Sequence, residues 1–151
     1  MSKFITNDLK TAREIIQKAL RLKQYALLEP DAKELIGVFG IPTTRHVVAS
    51  SVEETIRASV SIGYPVVLKI ISPDISHKTD VGGVRVGIKD EEGVRVAYEE
   101  IMRNVKNRVT DARINGILVE EMAVPSTEVI VGGLRDPQFG PAVMFGLGGI
   151  F

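Results

Sequence analysis

Residues 64–87, YPVVLKIISPDISHKTDVGGVRVG, carry the pattern from which the rest of the chain is read. Val66, Val67, Leu68, Ile70 and Ile71 form a short apolar run, the signature of a strand covered on both faces. Lys69 interrupts it. An ammonium there is costly unless an anion meets it. Two readings stand side by side: a lysine that reaches the sheet edge or a carboxylate, and a lysine that meets a phosphate as a point charge. Ser72, Pro73, Asp74 and Ser76 are turn formers. His77 follows, beside Lys78, Thr79 and Asp80. Imidazole titrates near neutrality and can act as a nucleophile, although in a loop it is as readily just solvated. Gly82-Gly83 admits positive φ and close approach of the backbone to a ligand, or an ordinary hairpin turn. Residues 83–89 then alternate, with Val84, Val86 and Ile88 facing one way and Arg85, Gly87 and Lys89 the other. An antiparallel pairing can bring Arg85 to the Lys69 face. The plainer reading leaves Arg85 in solvent.

Outward from this stretch, helices and strands interleave. Residues 11–23 read as a helix with an apolar stripe of Ala12, Ile15, Ile16, Ala19 and Leu20, and Thr11 with Glu14 has capping-box spacing. A second helix runs over residues 30–39, burying Ala32, Leu35, Ile36 and Phe39 and ending at Gly40 and Pro42. Residues 43–49 are a short strand, and His46 on it reads as structural or solvated. Ser51 and Glu54 form a capping box for a helix closed by Gly63. Asp90 caps the next, whose Val94, Ala97, Tyr98, Ile101, Met102 and Val105 repeat at helical spacing as core. Residues 116–122 (GILVEEM), 127–133 and 141–145 are strands, with a tight turn at Arg135-Asp136-Pro137. The order is αα, β-α-β, β-α-β and two further strands, an α/β sheet packed by helices.

Composition excludes several classes. Nineteen basic and nineteen acidic residues cancel, so no basic field points to nucleic acid. There is no cysteine for a disulfide, thiolate nucleophile or thiolate metal site, and two histidines make no histidine zinc site. No apolar run approaches membrane-spanning length, and MSKFITNDLK lacks the apolar core of a signal peptide, so a cytoplasmic protein is expected.

YPVVLKIISPDISHKTDVGGVRVGI, GILVEEM and EVIVGGLRDPQFGPAVMFGLGGIF together resemble the β subunit of ADP-forming acyl-CoA synthetases, also called ADP-forming acetate–CoA ligases. The resemblance covers nearly the whole chain. It implies an α/β ATP-grasp fold: an N-terminal helix over residues 1–25, a first nucleotide-binding lobe with a mixed sheet and packed helices over 26–122, and the start of an incomplete second lobe over 123–151. It implies that acyl-CoA, ADP and phosphate are interconverted with acid, ATP and CoA by the whole enzyme. An α part holds the acyl-CoA site and a phosphohistidine, and the β part holds ADP/ATP. His77 takes the position of a second histidine in that relay, and Lys69 that of the lysine contacting the nucleotide phosphates. Glu120, Glu121 and Met122 match the interlobe hinge near adenine and ribose. Arg135 and Asp136 border the nucleotide cleft, with Glu128 in the same cleft. Gly82 and Gly83 fit as backbone N–H donors to an anion. Family members continue beyond the equivalent of Phe151, and their magnesium ligands are expected outside this chain, within which no metal site is assigned. The apolar end is then an exposed edge that pairs with a partner or a second copy, and the chain alone binds nucleotide weakly without turnover. The alternative is a non-catalytic regulatory or assembly module of the kind fused to protein acyltransferases.

Overall fold

A computed structural model describes the backbone of residues 2–148 and the side chains of residues 8–148. The apolar run becomes β2 (Val66–Ile71), an interior strand of a four-stranded sheet. The other strands are β1 (His46–Ala49), β3 (Val84–Ile88) and β4 (Gly116–Glu121), in the order β1-β4-β2-β3. Every ladder is antiparallel. β4 is inserted between β1 and β2, so α3 (Val52–Ile62) links two strands running the same way with one strand between them. α4 (Glu91–Arg108) likewise links β3 to β4 past β2, which makes both crossovers split β-α-β units.

Strand alternation gives the sheet two unlike faces. Val66, Leu68, Ile70, Ile117 and Val119 point to α3 and α4, where Ala58, Ile62, Val94, Ala97, Ile101 and Val105 complete the core. Tyr98 and Met102 pack beside it, half-buried. The helices begin where their caps direct. Ser51 Oγ accepts from Glu54 N at 3.2 Å, while the Glu54 carboxylate reaches back to Ser50 N, and Asp90 Oδ1 accepts from Gly93 N at 2.7 Å. Val67, Lys69, Leu118 and Glu120 share the other face.

The register departs from simple alternation at one place. Leu68 pairs with Arg85 but Val66 with Ile88, so β3 carries an extra residue, with Gly87 at φ 73°. The bulge turns both Arg85 and Ile88 toward α4. Arg85 therefore lies neither on the Lys69 face nor in open solvent: its Nε donates to Glu100 of α4 at 2.9 Å.

The N-terminal helices differ from expectation. α1 (Ser2–Arg21) begins well before Thr11, which lies inside the helix and not at its start. It packs against α2 (Glu29–Val38) through Ala12, Ile15 and Ala19, leaving Ile16 and Leu20 exposed. No residue of α2 is fully buried, and Ile36 and Phe39 are open to solvent. β5 (Val129–Asp136) and β6 (Gly140–Leu147) form a separate hairpin sheet, longer than its sequence signal, with Val131, Val143 and Phe145 exposed. The last residues of the GLGGIF end, 149–151, lie outside the described residues. Among the described residues no helix is long and apolar enough to cross a membrane.

Leu68 is wholly buried in an interior strand, whereas Val86 sits outward in the bulge. Leu68→Ala is expected to lower unfolding free energy by about 2–5 kcal/mol. Val86→Ala should change it by under about 0.5 kcal/mol. Urea titration of both variants checks the contrast.

Candidate active site

Lys69 meets two carboxylates. Its Nζ lies 2.6 Å from Glu29 Oε1 and 2.6 Å from Glu120 Oε2. Glu29 opens α2 and continues to Lys78, 3.3 Å from its Oε2. Glu120, at the end of β4, also takes hydrogen bonds from Lys33 and Thr44, which are themselves 2.6 Å apart. Three ammonium groups and two carboxylates thus share one partly buried cluster, with one cation in excess. This answers half of the question that Lys69 posed: the lysine is paired, and the pairing leaves positive charge beside an opening.

The protonation states follow from the contacts. Burial pushes the Glu120 carboxyl up, but hydrogen bonds from Lys33, Lys69 and Thr44 outweigh it and hold the group down at about 2. Burial likewise raises Glu29, and its hydrogen bonds and attraction to Lys69 and Lys78 bring it below the ordinary carboxylate range. Burial lowers Lys69, and its two carboxylate partners more than restore it, so it stays charged.

The loop over residues 72–83 is fastened at several points. Ser72 and Ile75 are buried. Asp74 grips Arg113 in a two-pronged pair, with Oδ1 to Nη2 at 2.7 Å and Oδ2 to Nε at 3.0 Å, and Oδ2 also accepts from Arg113 N at 2.8 Å. The Arg113 guanidinium holds the Asp74 carboxyl at about 2. Arg108 donates to the Asp80 carbonyl. Between these anchors His77 is exposed, and its imidazole has no hydrogen-bond partner among the described residues.

The glycine pair serves this loop differently from expectation. Gly82 N donates to Thr79 O at 3.0 Å and Gly83 N to Lys78 O at 2.8 Å, so neither N–H is presented to an anion. A Cβ on Gly83 would come within 2.6 Å of Ile70 Cγ2, and one on Gly82 within 2.8 Å of Asn104 Nδ2. The pair lets the loop close tightly on β2 and α4.

Glu121 and Met122 are engaged too. Glu121 pairs with Arg45 at 2.6 Å, its N donates to Arg45 O, and Met122 N donates to Pro65 O at 3.3 Å. Asp136 Oδ1 accepts from Gln138 N and Phe139 N, closing the β5–β6 turn. Arg135 and Glu128 are exposed on or next to that hairpin, and among the described residues no hydrogen bond or ion pair joins either to the lysine cluster. His46 pairs across the ladder with Glu120, and its Nδ1 lies 3.1 Å from Thr44 O, so it borders the cluster.

Glu29, Lys33, Thr44 and Lys78 join the site without having been singled out for it in the sequence. A cavity of about 700 Å³ opens beside them, walled by residues 22–29, by Ile71, Ser72, Pro73, Ile75 and Ser76, and by Lys78 and Arg113. Among the described residues no three metal-binding side chains converge.

A family sequence model described as "ATP-grasp domain" matches residues 18–151. The β subunit of ADP-forming acetate–CoA ligase I from Pyrococcus furiosus is 52% identical over 140 residues, covering 93% of this chain and 60% of the relative. Two structures of dinucleotide-forming acetyl-coenzyme A synthetase 1 from Candidatus Korarchaeum cryptofilum are similar. One holds coenzyme A, Ca-AMPCP and HgCl+; it aligns with a TM-score of 0.89 at 54% identity, over 91% of this chain and 60% of that one. The other holds coenzyme A and Mg-AMPPCP, with a phosphohistidine segment pointing towards the nucleotide binding site. It aligns with a TM-score of 0.75 at 48% identity, over 93% of this chain and 58% of that one. The chain thus spans about 60% of the length of these relatives.

The pH dependence of stability is set by carboxylates held below their ordinary values. Such groups stabilise the fold above their unfolded pKa and lose that contribution as pH falls through the folded one. The urea midpoint should therefore drop as pH goes from about 4.5, the ordinary value for Glu120, toward about 2. Glu120→Gln, which leaves Lys33 without its carboxylate and Lys69 with Glu29 alone, should cost about 3 kcal/mol near neutrality and flatten this acid-side slope.

Proposed function

The chain belongs to the ATP-grasp domain family, and from that premise we propose that it is the nucleotide-binding portion of an ADP-forming acyl-CoA synthetase. Residues 26–122 are its first lobe and 123–151 begin the second. The observation that carries the reading is the exposed, unpartnered His77 standing next to Lys78 on a clamped loop, beside a lysine cluster with one cation in excess.

In this reading Lys69 and Lys78 receive the phosphates of ADP, and their charge offsets that of the group in transfer. His77 takes a phosphoryl group from a phosphohistidine on an α partner. One N–P bond breaks as another forms on the imidazole, and the α histidine regains its neutral ring. The second transfer breaks the His77 N–P bond as a terminal ADP oxygen bonds phosphorus, giving ATP. The Asp74–Arg113 pair and the Gly82-Gly83 turn fix the loop so that the imidazole is held in place before either transfer. Glu121 and Met122 border the adenine side. Arg135, Asp136 and Glu128 belong to the opposite wall, which the hairpin enters. Coenzyme A and the acyl group belong to the α partner. Magnesium finds no carboxylate set among the described residues, since Glu29 and Glu120 are taken by lysines. The same exposed imidazole favours an enzyme over a non-catalytic module, which has no use for a phosphoacceptor.

Two variants test the assignment. His77→Ala, incubated with a phosphorylated α partner, is expected to lose acid-labile labelling of this chain while still binding ADP; unchanged labelling would sink the role of His77. Lys69→Met should weaken ADP binding roughly 10- to 100-fold, in line with loss of a ~1.5–3 kcal/mol charged hydrogen bond. Unaltered ADP affinity by calorimetry would remove Lys69 from the phosphate site.

A further inference from the structure

Glu29 is a carboxylate on both proposed phosphate lysines, and the proposed function gives it no task. Its carboxylate bridges Lys69 at 2.6 Å and Lys78 at 3.3 Å, one oxygen to each. That is the arrangement a phosphoryl group would take between the same two ammonium groups. A phosphate cannot share the position with it, because two anions within a few ångströms in a partly buried site repel strongly.

One of the two carboxylates must yield, and the geometry decides which. Glu120 is 7% exposed in its side chain and is held by Lys33, Lys69 and Thr44 together. Glu29 is 24% exposed and held by the two lysines alone. Its backbone is also the easier to move: α2 has no fully buried residue, and Leu28 at its N-cap offers no side-chain hydrogen bond.

We infer that Glu29 is an internal competitor at the phosphate site, a carboxylate that occupies the Lys69–Lys78 pair until a nucleotide phosphate replaces it and that thereby lowers the affinity for phosphorylated nucleosides without touching that for unphosphorylated ones. The inference rests on the proposed nucleotide site. Replacement frees the first turn of α2 and, with it, the segment over residues 22–29 that walls the cavity next to the His77 loop. Phosphate occupancy and access to that cavity are in this way coupled.

Calorimetry of the 151-residue chain with ADP and with adenosine tests the idea. Removing a competitor raises the fraction of binding-competent sites, so Glu29→Gln is expected to bind ADP at least about fivefold more tightly with adenosine unchanged. Glu29→Asp, too short to span both lysines, should move the same way. Lys69→Met should lose ADP in either background. Equal or weaker ADP binding by both Glu29 variants, with Lys69→Met still defective, overturns the role of Glu29 and leaves the nucleotide site standing. ADP binding insensitive to Lys69→Met, or absent from every version, overturns both. A second readout needs no variant. Hydrogen exchange at the Ala32 amide, which donates to Leu28 O at 2.9 Å, should quicken when ADP binds to the unaltered chain, and slowing there would refute displacement.

Discussion

A lysine inside an apolar strand cannot be left unpaired, and the arrangement around Lys69 follows from that. Its ammonium draws Glu29 from the start of α2 and Glu120 from the end of β4, and Glu120 in turn draws Lys33 and Thr44. These contacts join a helix with no fully buried residue to the sheet. They also explain the two faces of the sheet. The face toward α3 and α4 carries the apolar core, with Arg85 at its margin on Glu100, and the opposite face carries the lysine cluster.

The loop after β2 is organised by a different means. Its position depends on ties between the backbone and charged side chains: Asp74 to Arg113, Arg108 to the Asp80 carbonyl, and the tight Gly82-Gly83 closure. Such ties hold a loop in one shape while leaving a side chain at its tip in water. The phosphoryl relay proposed for His77 needs that combination of fixed placement and open access.

Local sequence signals were sufficient wherever the physics is local. The limits of β2, α3, α4 and β4 followed from apolar period and from the Ser51 and Asp90 caps, each confirmed by a hydrogen bond. They failed where one local signal was given too much weight and where a choice depends on distant partners. Residues 2–10 hold no glycine or proline, so the helix runs past the cap expected at Thr11. The bulge that swings Arg85 to Glu100 is visible only once β2 and β3 are paired. Lys69 and His77 stood out in the sequence because each is unusual in its surroundings. Glu29 and Lys33 did not, because their partners lie 40 and 87 positions away and a helix with Glu-Pro at its start looks like any other.

The strand order has a consequence for how the chain is made. β1 and β2 are synthesised first but are not neighbours, and the strand that belongs between them, β4, ends only at Glu121. Until that residue has left the ribosome the two early strands have no partner on their facing edges. Lys33 and Lys69 meanwhile have no Glu120 to meet. Closure of the sheet and neutralisation of its lysines are therefore one late event in folding, driven by the arrival of a single strand across a long sequence separation.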